Sequence, residues 1–287
     1  MPRVVVTGGS GKLGQACVAD LVDHGWEVVN VDRAPSPHPV CPFLRVDLTD
    51  FGQTVEALSV NDGYRGVDAL VHLAAIPAPG LTTNAATFAN NMPSTYNVFA
   101  AARHAGIKNI VWASSETVLG LPFEIPPPYI PVDEEYPARP ESTYSLVKHL
   151  EEQMARQFCR WDPDLKMIGL RFSNVMDPAD YAAFPSYDAD PSSRKWNLWG
   201  YIDARDGAQA VRRALAYEPK GCDVFIIAAA DTVMSRSNAE LTAEIYPDVE
   251  LRGDIGEHTT LLSIDKARRV LGFEPQFSWR SENQRRS

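Results

Sequence analysis

The stretch VVVTGGSGKLGQA, residues Val4 to Ala16, decides the fold. An apolar, β-branched run stops at Thr7, and three glycines, Gly8, Gly11 and Gly14, follow at three-residue intervals. A strand that turns sharply into a helix needs glycine where the backbone takes φ > 0, and again where a ligand or the next strand comes close. The free amides at the start of the new helix, around Lys12 and Leu13, then face a phosphate. The same spacing also suits a tight turn with no ligand, so the surrounding sequence has to choose between the two.

At 287 residues the chain can bury a large core, as one big domain or as one and a half. The net charge of -10 and the lack of a basic block exclude a nucleic-acid partner, which needs a phosphate-neutralising stripe. Four cysteines, Cys17, Cys41, Cys159 and Cys222, lie far apart with no CxxC pair, which points to a reducing compartment and against both a disulfide framework and a zinc site. The six histidines are scattered, so no metal is expected. Met1 leads straight into a strand without a charged leader, and no apolar run reaches about 18 residues, so the expectation is a soluble, cytoplasmic protein with no membrane partner.

Short β-branched runs alternate with longer amphipathic stretches, the pattern of βαβ units feeding a parallel sheet. Strands are expected at Arg3–Thr7, Glu27–Asp32, Phe43–Asp47, Ala69–Ala74, Asn109–Ser114, Lys166–Phe172 and Val224–Ala228. Helices are expected at Lys12–His24, Thr54–Ser59, Ala85–His104, Thr143–Trp161, Asp206–Tyr217, Asn238–Ile245 and Asp265–Leu271. The fold class is therefore α/β, a Rossmann-type doubly wound parallel sheet of about seven strands with a small C-terminal substrate-binding lid. Residues 1–172, with a return segment at about 201–233, form the dinucleotide-binding domain in this reading; 173–200 and 234–287 form the substrate-binding region. The proline-rich Pro122–Pro140 reads as an extended loop over the helix that follows it.

Eighteen residues after Gly14 the second strand ends in Val31-Asp32-Arg33. A carboxylate there accepts hydrogen bonds from the adenosine ribose and repels a 2′-phosphate, so Asp32 favours NAD; Arg33 beside it can grip that phosphate, which keeps NADP possible. Asp47-Leu48 closes the third strand and can meet the adenine. Leu73-Ala74-Ala75 ends the fourth with small side chains against which a flat cofactor can lie.

The decisive pair is Tyr144 and Lys148 in TYSLVKHLEE, four residues apart on one helix face. A phenol with pKa near 10 is a poor base at neutral pH. A cation roughly 4 Å away at an effective dielectric of about 20 contributes on the order of 4 kcal/mol, or about 3 pKa units, enough to bring Tyr144 near working pH. The same spacing alone also suits a surface lysine paired with Glu152 and a tyrosine in the core. Here the fifth strand ends in WASSETVLG, where Ser114, Ser115 and Thr117 bring hydroxyls to the carboxyl edge of the sheet, able to hold the oxygen that Tyr144 deprotonates. His72, within a strand, reads as a satisfied core imidazole, and His149 lies one step off the Tyr144 and Lys148 face.

Taken together these segments resemble the extended short-chain dehydrogenase/reductases, the NAD-dependent epimerase/dehydratase family. The likeness covers nearly the whole chain: TGGSGKLG for TGxxGxxG, Asp32, Asp47-Leu48, HLAA at His72–Ala75, NNMPST at Asn90–Thr95, SSETVLG for SSxxVYG, YSLVK for YxxxK, and the closing DKARRVLGFEP. The resemblance implies Ser115 as the catalytic hydroxyl beside Tyr144 and Lys148, with Asn91 supporting the cofactor site. It also implies a homodimer joined through a four-helix bundle of Ala85–His104 and Thr143–Trp161. Two departures stand out: Leu119 replaces the usual tyrosine, and Pro93-Ser94 replaces a residue-glycine pair.

The proton and hydride step implied is shared by dehydrogenases, epimerases and dehydratases. Asn174 and Tyr201 are only 27 residues apart, a short stretch in which to wrap a nucleotide, so the expected substrate is a free sugar or sugar acid, as for aldose and uronate dehydrogenases. Its ring would pack on Trp196, Trp199 and Tyr201, its oxygens would meet Ser114, Ser115, Thr117 and Asn174, and a carboxylate would meet Arg194. The alternatives are an NAD-dependent nucleotide-sugar epimerase or dehydratase and a dinucleotide-sensing regulator without turnover, the latter disfavoured by the tyrosine and lysine pair.

Overall fold

The computed structural model describes residues 1–59 and 66–286, with side chains as far as Glu282. Its centre is a seven-stranded, all-parallel sheet built from β1 (Arg3–Thr7), β2 (Glu27–Asp32), β3 (Phe43–Arg45), β4 (Ala69–His72), β5 (Asn109–Ser115), β7 (Lys166–Phe172) and β10 (Gly221–Ile227). Four two-residue strands complete the set: β6 (Tyr129–Ile130), β8 (Val175–Met176), β9 (Ile202–Asp203) and β11 (Glu250–Leu251). The helices are α1 (Lys12–Asp23), α2 (Phe51–Leu58), α3 (Asn84–His104), α4 (Thr143–Trp161), α5 (Ala204–Ala216), α6 (Asn238–Ile245), α7 (Asp265–Leu271) and α8 (Trp279–Arg286).

The strand order is β10-β7-β5-β4-β1-β2-β3, so the winding reverses between β1 and β4 and opens a crevice at their carboxyl ends. Val4–Val6 and Ala69–Val71 are buried on both faces, as strands covered by helices on each side must be. One apolar cluster joins α1 and α5 to the sheet through Val18, Leu21, Ala210 and Val211. The other joins α2, α3 and α4 through Leu58, Phe99, Ala155 and Phe158. Two cations lie within β7, the neighbour of the edge strand β10. Lys166 donates to the carbonyls of Ala214, Leu215 and Tyr217, which closes the C-terminal end of α5, and Arg171 forms a buried two-pronged pair with Glu152 of α4.

Several expectations need correcting. Pro122–Pro140 is not only loop: it contains β6, which pairs in parallel with β11, and Val132 bridges to Leu262. The third, fourth and last large strands end two, two and one residues earlier than expected, although single backbone bonds from Val46 to Asp32 and from Leu73 to Thr7 continue past the first two. The helix expected at Thr54–Ser59 begins at Phe51, because the Asp50 side chain accepts from the amide of Gln53 and caps it. α8 and the 3-10 turns Asp180–Ala189 and Pro191–Asn197 were not anticipated.

Candidate active site

The glycine loop is built by close approach. Gly8 takes φ +75, and a Cβ there would stand 2.5 Å from the Ala74 amide nitrogen; at Gly14 it would stand 2.1 Å from the Gly8 carbonyl oxygen. Gly11 differs: a Cβ would meet only that same carbonyl, at 3.4 Å, so the protein's own packing leaves room above it. Gly11 caps α1 without any side-chain hydrogen bond, so the first-turn amides are left for a ligand. This geometry fits a pyrophosphate. Lys12 and Leu13 line the same space, although the Lys12 ammonium reaches across to Asp180 at 2.5 Å.

A cleft of about 800 Å³ runs from this loop across the ends of β4, β5 and β7. Asp32 faces it, its carboxylate fixed by the Ser10 amide at 3.1 Å; Ser10 was missed in the sequence, although it sits inside the glycine loop. Arg33 and Leu48 line this end, with Leu73, Ala74 and Ala75 further along. Asp47 does not meet the cleft: it accepts from Arg33 at 2.9 Å and from Thr49, and the Arg33 guanidinium beside it lowers its carboxyl to about 2. Arg33 is correspondingly engaged. Asn91 also stands behind the wall, clamping the Ile76 backbone with both its amide oxygen and its nitrogen, so its effect on the cleft passes through the Leu73–Ile76 turn.

At the far end Ser115, Tyr144 and Lys148 come together. Helix α4 starts in a capping box between Ser142 and Ser145, which sets Tyr144 in the first turn over the end of β5. The Ser115 hydroxyl lies beside the Tyr144 phenol and accepts from both the amide and the hydroxyl of Thr117. Lys148 places Nζ 5.9 Å from the Tyr144 ring centre, donates to the Ala113 carbonyl at 2.8 Å and pairs with Glu151 at 3.0 Å. Glu152, the partner weighed from the sequence, belongs instead to Arg171.

The simple expectation for the phenol does not hold. Burial raises Tyr144 above its ordinary value; Lys148 and Ser115 pull it down, but Glu151 and Glu116 oppose them. Burial pulls Lys148 down, and Glu151, Tyr144 and Glu152 outweigh it, so the ammonium is held above its ordinary value. His72 is confirmed as a core imidazole, buried between Thr7 and Thr95, with burial and then Lys148 lowering it to about 3.

The substrate end departs furthest from expectation. Ser114 lines the cleft, but its hydroxyl is spent on Glu152, to which it donates at 2.7 Å. Arg194 does not line the cleft: its guanidinium is buried against the Trp196 and Tyr187 rings, 5.0 and 5.2 Å away, and donates to the Gly200 carbonyl. Trp199 and Tyr201 are core residues, fully enclosed; of the three expected platforms only Trp196 reaches the cleft. Thr117 and Asn174 do line it. Glu116 was missed. It lies between the expected Ser115 and Thr117, is 2% exposed, and accepts from Asn197 at 3.1 Å. Burial pushes its carboxyl up to about 7 against the pull of Ser173, Asn197 and Arg194, and its second oxygen has no partner. Its position directly after the strand end was the available signal.

Comparison with known proteins agrees with this geometry. The family model described as the NAD dependent epimerase/dehydratase family matches residues 4–228. UDP-glucose 4-epimerase 2 of Oryza sativa subsp. japonica is 29% identical over 69% of this chain, and the match takes in 50% of that protein, so the chain spans about half the length of this relative. A crystal structure of UDP-galactose 4-epimerase superposes with a TM-score of 0.70 at 26% identity, covering 98% of this chain and 95% of the other. A mutated uronate dehydrogenase superposes at 0.69 with 22% identity, covering 100% and 86%, a likeness of fold. With residues 4–228 matched and the glycine loop, Asp32, Ser115, Tyr144 and Lys148 gathered on one cleft, the chain belongs to the NAD dependent epimerase/dehydratase family.

Proposed function

We propose that this protein is an NAD-dependent oxidoreductase that takes hydride from a hydroxyl-bearing carbon of a free sugar or sugar acid, with Tyr144 as base. The observation that carries this reading is the charge of the substrate end. Among the described residues lining the cleft the cations are Lys12, Arg33 and Lys148, the first two at the dinucleotide end, while the segments after β7 contribute none. A nucleotide-sugar diphosphate there would face the Glu116 carboxyl with no cation lining that end, since Arg194, which acts on Glu116, is buried behind the wall. A neutral free sugar brings no such charge and a sugar acid a single one, where a diphosphate brings two; the sugar hydroxyls suit Glu116, Asn174 and Ser173, and its C–H face suits Trp196.

In the step this supports, Tyr144 takes the proton from the substrate hydroxyl, Ser115 donates to and steadies that oxygen, and Lys148 holds positive charge beneath it. NAD held in this cleft would supply the acceptor for the hydride of that carbon. Gly8, Gly11 and Gly14 would hold the pyrophosphate and Asp32 the adenosine ribose.

The second reading, a nucleotide-sugar 4-epimerase, is favoured by the names of the relatives. A screen of free aldoses, uronates and UDP-sugars with NAD separates them: stoichiometric NADH from a monosaccharide supports the dehydrogenase, and UDP-sugar interconversion with no NADH from any monosaccharide overturns it. The dinucleotide-sensing regulator predicts neither.

The division into a dinucleotide half, 1–172 with about 201–233, and a substrate half is part of the proposal, as are a cytoplasmic setting, supported by four free cysteines, and a homodimer. The dimer is supported by Phe88 and Tyr96 on α3 and Leu146 and Trp161 on α4, large apolar side chains that are all exposed. Light scattering giving a monomer mass at micromolar concentration would refute it.

A further inference from the structure

A buried hydrogen-bonded chain links the catalytic lysine to the first strand of the sheet. The Thr7 hydroxyl lies 2.7 Å from His72 Nδ1, His72 Nε2 lies 3.0 Å from Thr95 Oγ1, and Thr95 Oγ1 donates to Glu151 Oε1 at 2.9 Å. Glu151 Oε2 takes the Lys148 ammonium at 3.0 Å. Because Thr95 spends its proton on Glu151, it must accept from His72 Nε2, which leaves Nδ1 to accept from Thr7. Every donor in the chain thus points toward Glu151, which sits fully enclosed with a donor on each oxygen. A carboxylate satisfied in this way is held ionised, although burial raises its carboxyl.

We propose that Glu151 is a positioning residue that fixes Lys148 and cancels its charge, so that Tyr144 becomes a base only when a second positive charge, that of oxidised nicotinamide, is bound beside it. The charged groups facing Tyr144 are Lys148 and Glu151 on α4 and Glu116 after β5. Glu152, next in line to Lys148, is matched by Arg171 of β7, and His72 of β4 is neutral, so Glu151 is the negative charge that answers Lys148. This inference rests on Tyr144 as the base in the reading above, but its test needs no substrate.

The test is the phenolate absorbance of Tyr144 between pH 6 and 12, obtained as the difference between each protein and its Tyr144→Phe counterpart, with and without NAD. In the wild type without NAD the midpoint should lie above that of free tyrosine, and NAD should lower it. In Glu151→Gln without NAD the midpoint should already be lower than wild type by about one pH unit or more, a tenfold change in ionisation constant. Glu151→Asp, with its carboxylate drawn back by one methylene, should fall between the two and serves if the glutamine variant does not fold by circular dichroism. A midpoint that stays in place or rises in the folded variant overturns the proposal. So does a wild-type midpoint indifferent to NAD. Failure of Tyr144→Phe to affect turnover in the sugar screen would instead overturn the mechanism.

Discussion

Replacing Glu116 by Gln changes one charge at the substrate end while keeping an acceptor for Asn197. In the folded protein burial raises this carboxyl from an ordinary 4.5 to about 7. At pH 4 it is neutral in both folded and unfolded chains and contributes nothing. As pH rises through 4.5 the unfolded chain releases its proton while the folded one keeps it, so stability falls; above about 7 both are ionised and the full cost stands. At about 1.4 kcal/mol per pKa unit, the interval from 4.5 to about 7 corresponds to about 3 kcal/mol. Glu116→Gln carries no such charge, so its stability relative to wild type should rise by about 3 kcal/mol between pH 4 and pH 8. Other ionisable groups cancel in the difference. Urea denaturation of both proteins at half-unit pH intervals measures it. A difference that stays constant within about 0.5 kcal/mol would show that Glu116 is neither buried nor unpaired as described. The same titration bears on the proposed specificity, in which ionised Glu116 would accept from sugar hydroxyls and repel a uronate carboxylate; KM for a uronate should then rise through pH 7 in wild type and stay flat in the variant.

Asp32→Ala should narrow a preference for NAD over NADP, because it removes the carboxylate that repels a 2′-phosphate while Arg33 remains tied to Asp47; titration calorimetry of both cofactors checks this, and wild-type binding of NADP tenfold tighter than NAD would contradict it. Arg171→Met leaves Glu152 buried with only Ser114 and should cost about 3–5 kcal/mol in urea unfolding; a loss under about 1 kcal/mol would mean that the pair is not enclosed.

What could be read from the sequence was local. The glycine spacing, the helix carrying Tyr144 and Lys148, and the seven strands depend on neighbours within a few residues, and the expected sheet follows from them; Ser115 is singled out among its neighbouring hydroxyls through the family resemblance. What could not be read depends on distant partners. Thr95 and Glu151 are 56 residues apart, and the adjacent acids Glu151 and Glu152 on α4 look like a solvated face until Thr95 of α3 and Arg171 of β7 meet them. The four-residue spacing placed Lys148 near Tyr144 correctly, but the opposing effects of burial and Glu151 arise only in the packed structure. Trp199 and Tyr201 look like lid residues in an aromatic-rich loop, yet Tyr201 bonds to Asp231 and packs on Tyr181 and Phe184 in the core. The pairing of Tyr129–Ile130 with Glu250–Leu251 is likewise invisible, since two-residue strands carry no periodicity.

The most direct measurement for the assigned chemistry is turnover and NAD affinity of Tyr144→Phe on whichever sugar the screen identifies. In the proposed step the phenol takes the proton and does not hold the dinucleotide, so turnover should be abolished while the NAD dissociation constant changes by less than about threefold, and Lys148→Ala should impair both. A Tyr144→Phe protein that kept most of its turnover would contradict the account.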